Sequence, residues 1–285
     1  MFFIPDSFIE KLLAEDLPIM DVTTEALGIG DAEGAVECFP KRGCVAAGIE
    51  EAARAFEISG ARVETFYKSG SELDAGTIFL RARGTADSLH ASYKVAQNIM
   101  EYSSGIATRC AAMVKNARRA SPHAEVSVTR KHFPGTKQLS LKAALSGGAS
   151  IHRLGLSDSI LVFDQHRTFV GGGGEFALKI KDMSRRFPEK KIAVEAGGEE
   201  EAVLFAKAGA DVVQCERFEP ELLKRVIPRL KEINPGIKIL AAGGVNAENA
   251  FDYAASGVDA LVTSWVYFGK PEDIKMRFCA IPNLL

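Results

Sequence analysis

The chain has 285 residues, of which 47% are apolar, and its 35 Lys and Arg residues nearly balance 37 Asp and Glu residues. This length fits one large or two smaller α/β domains, and the net charge of −2 excludes a strongly basic surface for nucleic acid or membranes. The five cysteines, without a Cys-x-x-Cys pair, exclude a disulfide framework and a cysteine-rich zinc site. The sequence shows no basic leader and no apolar run of about 20 residues, so we expect a soluble, cytoplasmic protein.

The first 85 residues predict a small α+β unit with an antiparallel sheet. Apolar residues at helical spacing predict helices at 8–17 and 50–59. Runs of strand-forming residues between glycine-containing turns predict strands at 34–40, 43–48, 62–67 and 77–83. The helical spacing of apolar residues then predicts a helix at 90–106 that links two domains.

From about residue 125, apolar strands alternate with amphipathic helices. The predicted strands lie at 125–130, 149–153, 160–164, 192–195, 212–216, 239–242 and 261–264, and predicted helices at 136–146, 176–187, 199–208 and 247–256. Gly209 and Gly257 each stand between a helix and a strand, a position that favours left-handed backbone. The pattern predicts a parallel α/β barrel of about seven strands, either open or short of strands. The glycine run at 171–174 predicts a flexible loop.

Polar or glycine residues stand at the carboxyl end of every predicted barrel strand, the end that carries function in such barrels. In order they are Arg130-Lys131, His152-Arg153, Asp164, Glu195, Glu216, Gly243-Gly244 and Thr263-Ser264. A single polar strand end is weak evidence, because strands commonly leave the core through polar residues. The ordered set indicates an active-site mouth.

The segment 129–167 is locally basic. It contains the cations Arg130, Lys131, Lys137, Lys142, Arg153 and Arg167 and the histidines His132, His152 and His166, against the acids Asp158 and Asp164. Arginine and lysine together suit carboxylate or phosphate groups, so the segment predicts an anionic ligand. The alternative is a solvated basic face.

Two further pairs of strand ends suggest a phosphorylated ligand. Gly243 and Gly244 precede a predicted helix, so their backbone N–H groups could cradle a phosphate, and Thr263-Ser264 could add hydroxyls. Glu195 and Glu216 end successive strands and should face each other. Two carboxylates near a phosphate suit Mg²⁺, and the alternative for the pair is general acid and base catalysis.

The string Thr129-Arg130-Lys131-His132-Phe133-Pro134-Gly135, with Gly147-Gly148 and His152-Arg153, resembles the type II phosphoribosyltransferases. In that family it is similar to quinolinate phosphoribosyltransferase, also called nicotinate-nucleotide pyrophosphorylase. Asp21-Val22-Thr23-Thr24 and Ser104–Thr108 resemble its N-terminal and linker-helix motifs. Features at His132-Phe133, Thr136-Lys137 and Gln165-His166-Arg167 are similar to a branch of pyrophosphorylases associated by name with molybdenum transport.

The resemblance implies an N-terminal α/β sandwich at 1–109, an open α/β barrel at 110–268 and a C-terminal segment at 269–285 that packs on the N-terminal domain. It implies a homodimer, or a dimer-based higher oligomer, with active sites at the subunit interface. It also implies transfer of ribose 5-phosphate from phosphoribosyl pyrophosphate to a pyridine dicarboxylate, with Mg²⁺, releasing pyrophosphate and carbon dioxide.

By position, the implied catalytic residues are Lys131, Glu195 and Glu216, and the two glutamates are also the implied metal ligands. The implied substrate-binding residues are Lys94, Arg130, Lys137, His152, Arg153, Phe163, Asp164 and His166. The implied phosphate-binding residues are Gly243, Gly244, Thr263 and Ser264.

The sequence also departs from the family pattern in the acceptor half. Phe163 stands where the family has an active-site lysine, and Lys94 replaces an arginine that the partner subunit lends to the site. Glu216 replaces an aspartate and Ala242 a serine. Loss of an ammonium group from a dicarboxylate pocket typically costs ~2–5 kcal/mol.

Three hypotheses follow. The first is a phosphoribosyltransferase that keeps the donor and Mg²⁺ but uses a different acceptor, one that is not a dicarboxylate. The second is a working quinolinate phosphoribosyltransferase that tolerates the substitutions. The third, from another class, is a non-catalytic protein whose basic segment binds an oxyanion such as molybdate.

Overall fold

The computed structural model describes residues 2–171 and 173–281. In chain order the helices are α1 (Asp6–Asp16), α2 (Val22–Leu27), α3 (Ile49–Ile58), α4 (Ala86–Ala120), α5 (Lys137–Ser146), α6 (Asp164–Arg167), α7 (Gly173–Arg186), α8 (Glu199–Ala208), α9 (Pro220–Ile233) and α10 (Ala250–Ala255). The strands are β1 (Glu33–Pro40), β2 (Cys44–Val45), β3 (Arg62–Thr65), β4 (Glu72–Leu73), β5 (Leu80–Thr85), β6 (Glu125–Val128), β7 (Ser150–Ile151), β8 (Ile160–Val162), β9 (Ile192–Ala196), β10 (Val212–Glu216), β11 (Lys238–Ala242), β12 (Ala260–Thr263) and β13 (Ile274–Ala280).

The described residues divide into two compact units, each with its own main sheet. The first unit contains the residues up to Arg109, Phe133–Gly148 and the residues from Phe268 onwards. The second contains Cys110–His132 and Ala149–Tyr267. In this grouping α5 belongs to the first unit, whereas the sequence-based division assigned residues 110–268 to the barrel.

The first unit is built on a four-stranded antiparallel sheet of order β13-β1-β5-β3, beside the small pair β2-β4. This confirms the predicted antiparallel α+β unit. Phe56 of α3, Phe79 and Leu80 are fully buried in its core. Strand β13 was not predicted as a strand, yet it pairs with β1 along seven residues, from Gly34 opposite Ala280 to Pro40 opposite Ile274.

Helix α4 is longer than the predicted 90–106, because it continues for 35 residues from Ala86. Alanines beyond residue 106 favour the continuation, and Gly105 does not interrupt it. A Cβ at Gly105 would lie 3.0 Å from the carbonyl oxygen of Lys270, so glycine is needed there for close approach. None of the described helices has the length and apolar character needed to cross a bilayer.

The second unit is built on a seven-stranded sheet of order β7-β6-β12-β11-β10-β9-β8, in which every pair is parallel. Strands β7 and β8 form its two edges, so the sheet is a curved, open half-barrel, as predicted. Helix α8 packs against β9 and β10, and α10 packs against β12. Gly209 and Gly257 have φ values of 93° and 92°, which confirms the predicted left-handed turns.

Several elements near the carboxyl edge of this sheet are shorter than predicted. Strands β6, β7 and β8 end before the polar pairs, so Arg130-Lys131, His152-Arg153 and Asp164 follow the strands. Helix α10 begins at Ala250 rather than at residue 247. In the glycine run at 171–174, residue 172 lies outside the described residues, and α7 already begins at Gly173.

Candidate active site

The carboxyl ends of the strands in the second unit surround a cavity of about 810 Å³. Its lining includes residues that the sequence marked as catalytic, substrate-binding or phosphate-binding, from all seven strand ends. They are Arg130, Lys131, His152, Arg153, Phe163, Glu195, Glu216, Gly243, Gly244, Thr263 and Ser264. The open sheet therefore gathers residues distant in sequence around one volume.

Four predicted site residues lie elsewhere. Asp164 pairs with Arg167, and His166 accepts a hydrogen bond at Nδ1 from the Phe163 N–H at 3.0 Å. Lys94 and Lys137 belong to the first compact unit, where the exposed Lys94 ammonium donates to Gln97.

The locally basic segment does not act as one cationic surface. Lys142 belongs to the first unit and is bound by the carboxylates of Glu50 and Glu51 at 3.0 and 2.7 Å. Arg167 is bound by Glu201 at 2.6 Å. Because these two cations are already paired, the positive charge at the cavity comes from Arg130, Lys131, Arg153 and the unpredicted Arg217.

The two glutamates form an electrostatically unfavourable pair. Glu195 accepts a hydrogen bond at Oε2 from Gln214 Nε2 at 2.9 Å. Burial raises the pKa of Glu195, and the charge of Glu216 raises it further. The hydrogen bond from Gln214 and the positive charges of Lys131 and Arg167 act in the opposite direction. The cavity therefore holds two nearby carboxylates, the arrangement that a divalent cation relieves.

Arg153 is the most buried cation of the cavity. It is 6% exposed, its guanidinium lies over the Phe163 ring at 5.4 Å, and it forms no ion pair with any described residue. Burial and the charge of Arg130 lower the pKa of Arg153. A buried cation without a counter-ion suits an anionic ligand group.

His152 is kept neutral beside that cation. Burial and then Arg153 lower the pKa of His152, so its imidazole is uncharged at neutral pH. It can therefore act as a neutral hydrogen-bonding group in the cavity.

The glycine pair forms a sharp turn against Glu216. Gly243 and Gly244 have φ values of 84° and 80°, and a Cβ at Gly243 would lie 2.6 Å from Glu216 Oε1. The N–H groups of Gly244 and Val245 have no acceptor among the described residues and are available to a phosphate.

Side chains of neighbouring residues fix this turn. Asn249 Nδ2 donates to the Gly244 carbonyl at 3.1 Å, and the Thr263 hydroxyl donates to the Val245 carbonyl at 2.7 Å. Ser264 Oγ lies 2.7 Å from Thr129 Oγ1. The turn is thus built without a helix at residue 247, and side-chain amides and hydroxyls stabilise it.

Several cavity residues were missed by sequence reasoning, namely Gln165, Gln214, Arg217, Asn246 and Trp265. For Gln214 a signal existed, because it stands two residues before Glu216 and therefore on the same face of β10. Arg217 has a φ of 57°, unusual for a residue with a side chain, directly after Glu216.

Comparisons with known proteins find one family for both parts of the chain. The description "Quinolinate phosphoribosyl transferase, N-terminal domain" matches residues 21–104, and the description of its C-terminal domain matches residues 106–277. The protein named pyrophosphorylase ModD in Rhodobacter capsulatus is 40% identical over 250 residues, covering 88% of this chain and 96% of that protein. These matches confirm the family and branch resemblance seen in the sequence.

A human relative and a solved structure extend the comparison. The carboxylating nicotinate-nucleotide pyrophosphorylase of Homo sapiens is 31% identical over 255 residues, covering 90% of this chain and 84% of that protein. The crystal structure of NadC from Streptococcus pyogenes has a TM-score of 0.88 at 24% identity, over 97% of this chain and 96% of that one, which shows a shared fold.

Substitution of Glu195 should stabilise the protein at neutral pH. A carboxyl whose pKa is raised on folding costs stability once the pH exceeds its ordinary value, and this cost persists above the raised pKa. We therefore expect Glu195→Gln to have a higher Tm than wild type at pH 7–8 in metal-free buffer, with the difference vanishing near pH ~4. Thermal unfolding across this pH range measures it.

The matched control is Glu199→Gln, for which the opposite sign is expected. Ion pairs with Arg225 and Arg229 lower the pKa of Glu199, so its charge contributes stability at neutral pH that is lost on acidification. A lower Tm for both variants at pH 7–8 would contradict the repulsion described for Glu195.

We expect a side chain to be tolerated less well at Gly243 than at Gly257, because both glycines have a similar positive φ but different neighbours. Gly243→Ala meets Glu216 Oε1, whereas Gly257→Ala, at φ 92°, has no neighbour within 4 Å of the new Cβ. We expect Gly243→Ala to lose ~1–3 kcal/mol more free energy of unfolding than Gly257→Ala. Denaturant unfolding tests this, and equal losses would show that Glu216 does not require the glycine.

Proposed function

The chain belongs to the quinolinate phosphoribosyltransferase family and is an enzyme of the phosphoribosyltransferase class, and from this we propose that it transfers ribose 5-phosphate from phosphoribosyl pyrophosphate to an acceptor that is not a dicarboxylate. The single observation that carries the proposal is the contact of Arg153 with Phe163 in the cavity. An aromatic ring stands where the family resemblance implies a second cation for the acceptor.

The donor half of the cavity supports ribosyl transfer. The free N–H groups of Gly244 and Val245, together with Ser264, suit the 5-phosphate. As the bond between ribose C1 and the pyrophosphate oxygen breaks, positive charge develops on the ring, and Glu195 and Glu216 stabilise it. Lys131 takes up negative charge on the departing pyrophosphate.

We propose that Glu195 and Glu216 also hold Mg²⁺. The residues fit the ion, because the two carboxylates line one cavity and the charge of Glu216 destabilises ionised Glu195. No group of three His, Cys, Asp or Glu suited to a metal occurs in the part of the chain that the structure describes, so donor oxygens and water would complete the ligand set. When bound, Mg²⁺ supplies charge neutralisation for the pyrophosphate.

The acceptor half supports a ligand of low charge. Arg153 is buried against Phe163, which adds packing but no charge, and His152 is neutral. A dicarboxylate would place its second carboxylate without a dedicated buried cation, which is costly. The cavity therefore favours an acceptor with a single anionic group.

The homodimer that the family resemblance implies gives Lys94 a role in the site. We propose a homodimer, or a dimer-based higher oligomer, in which Lys94 of one chain serves the cavity of the other, as the resemblance implies. Its exposed ammonium donates to Gln97 and lies over the Tyr93 ring, and this exposure leaves it accessible to a second chain. The association with molybdenum transport is likewise proposed only from the branch that the sequence resembles.

The proposed function predicts Mg²⁺-dependent release of pyrophosphate from phosphoribosyl pyrophosphate. We expect slow release that quinolinate does not stimulate, because the true acceptor is absent, and loss of release in Glu195→Ala. A coupled pyrophosphate assay, with and without quinolinate, measures both effects. Quinolinate-stimulated release at ordinary enzymatic rates would instead identify a quinolinate phosphoribosyltransferase. Absence of release, with calorimetric binding of molybdate, would favour an oxyanion-binding protein.

Restoring the missing cation should restore quinolinate binding. We expect Phe163→Lys to bind quinolinate about ten-fold more tightly than wild type, because a second carboxylate gains a charged partner. Phe163→Leu is the control, since it removes the ring without adding charge and should give no gain. Titration calorimetry compares the three proteins, and an unchanged affinity in Phe163→Lys would refute the missing-cation explanation.

A further inference from the structure

Four cations among the described residues line the cavity, and the sequence predicted a role for each of them except Arg217. This residue directly follows Glu216 at the end of β10, and its φ of 57° is left-handed, a conformation that a side chain disfavours. Its N–H donates to the carbonyl of Ala242 at 2.7 Å, directly before the turn at residues 243–245, here called the phosphate turn. A strained residue is thus held against that turn, and strain of this kind clusters at functional positions.

The side chain of Arg217 also lies against the phosphate turn. A Cβ added at Gly243 would lie 2.6 Å from Arg217 Cγ, so the glycine makes room for that side chain. Arg217, Gly243 and Gly244 line both the cavity of about 810 Å³ and a second cavity of about 720 Å³. Arg217 is therefore part of the same wall as the phosphate turn.

The guanidinium of Arg217 is held only loosely. Its Nε lies 3.7 Å from Glu216 Oε1, beyond the distance of an ordinary hydrogen bond, and 84% of the side chain is exposed. An ion pair with this distance and exposure contributes little stability. The guanidinium donors can therefore turn to an anionic ligand at small cost.

A phosphate bound at the turn requires a cation beside it. The N–H groups of Gly244 and Val245 carry only partial positive charge. Glu216 lies close by, because its Oε1 would be 2.6 Å from a Cβ on Gly243. A phosphate dianion at the turn is thus repelled by a neighbouring carboxylate unless a positive charge offsets it.

The order of strands places Arg217 next to the turn. Strands β10 and β11 are neighbours, with Glu216 opposite Ala242, so Arg217 and Gly243 leave the sheet side by side. The other three cavity cations follow β6 and β7, and β12 separates those strands from β11. Among the described cavity residues, Arg217 is therefore the cation that follows a strand adjacent to the phosphate turn.

We propose that Arg217 binds the 5-phosphate of the donor, with its guanidinium closing over the anion that the N–H groups of Gly244 and Val245 hold. This rests on the proposed function and assigns a further substrate-binding residue to the same cavity. A guanidinium can donate two parallel hydrogen bonds to a phosphate group. Arg217 thus selects a sugar that carries the phosphate and leaves the pyrophosphate to other cations.

The test uses the two halves of the donor as separate probes, ribose 5-phosphate and pyrophosphate, each titrated calorimetrically with Mg²⁺ present. We expect Arg217→Gly to bind ribose 5-phosphate about ten-fold more weakly than wild type, because a charge-assisted contact is lost, and to bind pyrophosphate as wild type does. Arg217→Gly also relieves the positive φ, so its Tm should equal or exceed that of wild type. A loss of affinity without a loss of stability separates binding from a structural role.

Two further variants control for side-chain removal and for general charge. Arg217→Gln keeps a polar side chain and should lose the same affinity as Arg217→Gly. Lys224→Gln removes a half-exposed cation that lines the second cavity and is bound by Glu221 at 2.7 Å, and it should keep the wild-type affinity for both probes.

The outcomes distinguish this inference from the proposed function. Unchanged binding of ribose 5-phosphate in Arg217→Gly, or an equal loss of pyrophosphate binding, would overturn the role of Arg217. Wild type that binds pyrophosphate but not ribose 5-phosphate would overturn it as well. Wild type that binds neither probe would instead defeat the proposed function on which the inference rests.

Discussion

Incomplete charge pairing at the carboxyl edge of the parallel sheet is the constraint on which the cavity depends. Because all seven strands run in one direction, their ends bring Glu195 and Glu216 to the volume that also receives Arg153. Charge pairing here is incomplete, since the glutamates repel each other and Glu216 has only the exposed Arg217 at 3.7 Å, while Arg153 has no ion-pair partner among the described residues. Packing of the sheet and its helices offsets this cost, and the site is left electrostatically ready for a ligand carrying both signs of charge.

In the proposed function, Phe163 alters the acceptor half of the cavity and leaves the donor half unchanged. The ring contacts Arg153 and His166, whereas the phosphate turn is held by Asn249 and Thr263 on other elements. The two halves of the cavity therefore rest on separate contacts. A family can keep one reaction and alter its acceptor when the groups that bind the two substrates are supported independently.

The sequence predicted the second unit well because buried parallel strands have a continuous apolar pattern and end in polar residues. It could not show that Lys142 is bound by Glu50, 92 residues away, and so overestimated the free positive charge. It also overlooked Gln214, although the alternation of side chains along β10 places this residue on the same face as Glu216. Strand β13 escaped notice because its partner β1 lies at the opposite end of the chain.

That pairing sets an order of events during synthesis. Strand β1 has β5 on one side from the start, but its other side stays open until Ile274–Ala280 has been made, after the entire second unit. The first unit, although it begins to leave the ribosome before the second, thus completes its sheet only after the second has been made. Through most of translation an unpaired strand edge is exposed to other nascent chains, and loss of the final strand would make that edge permanent.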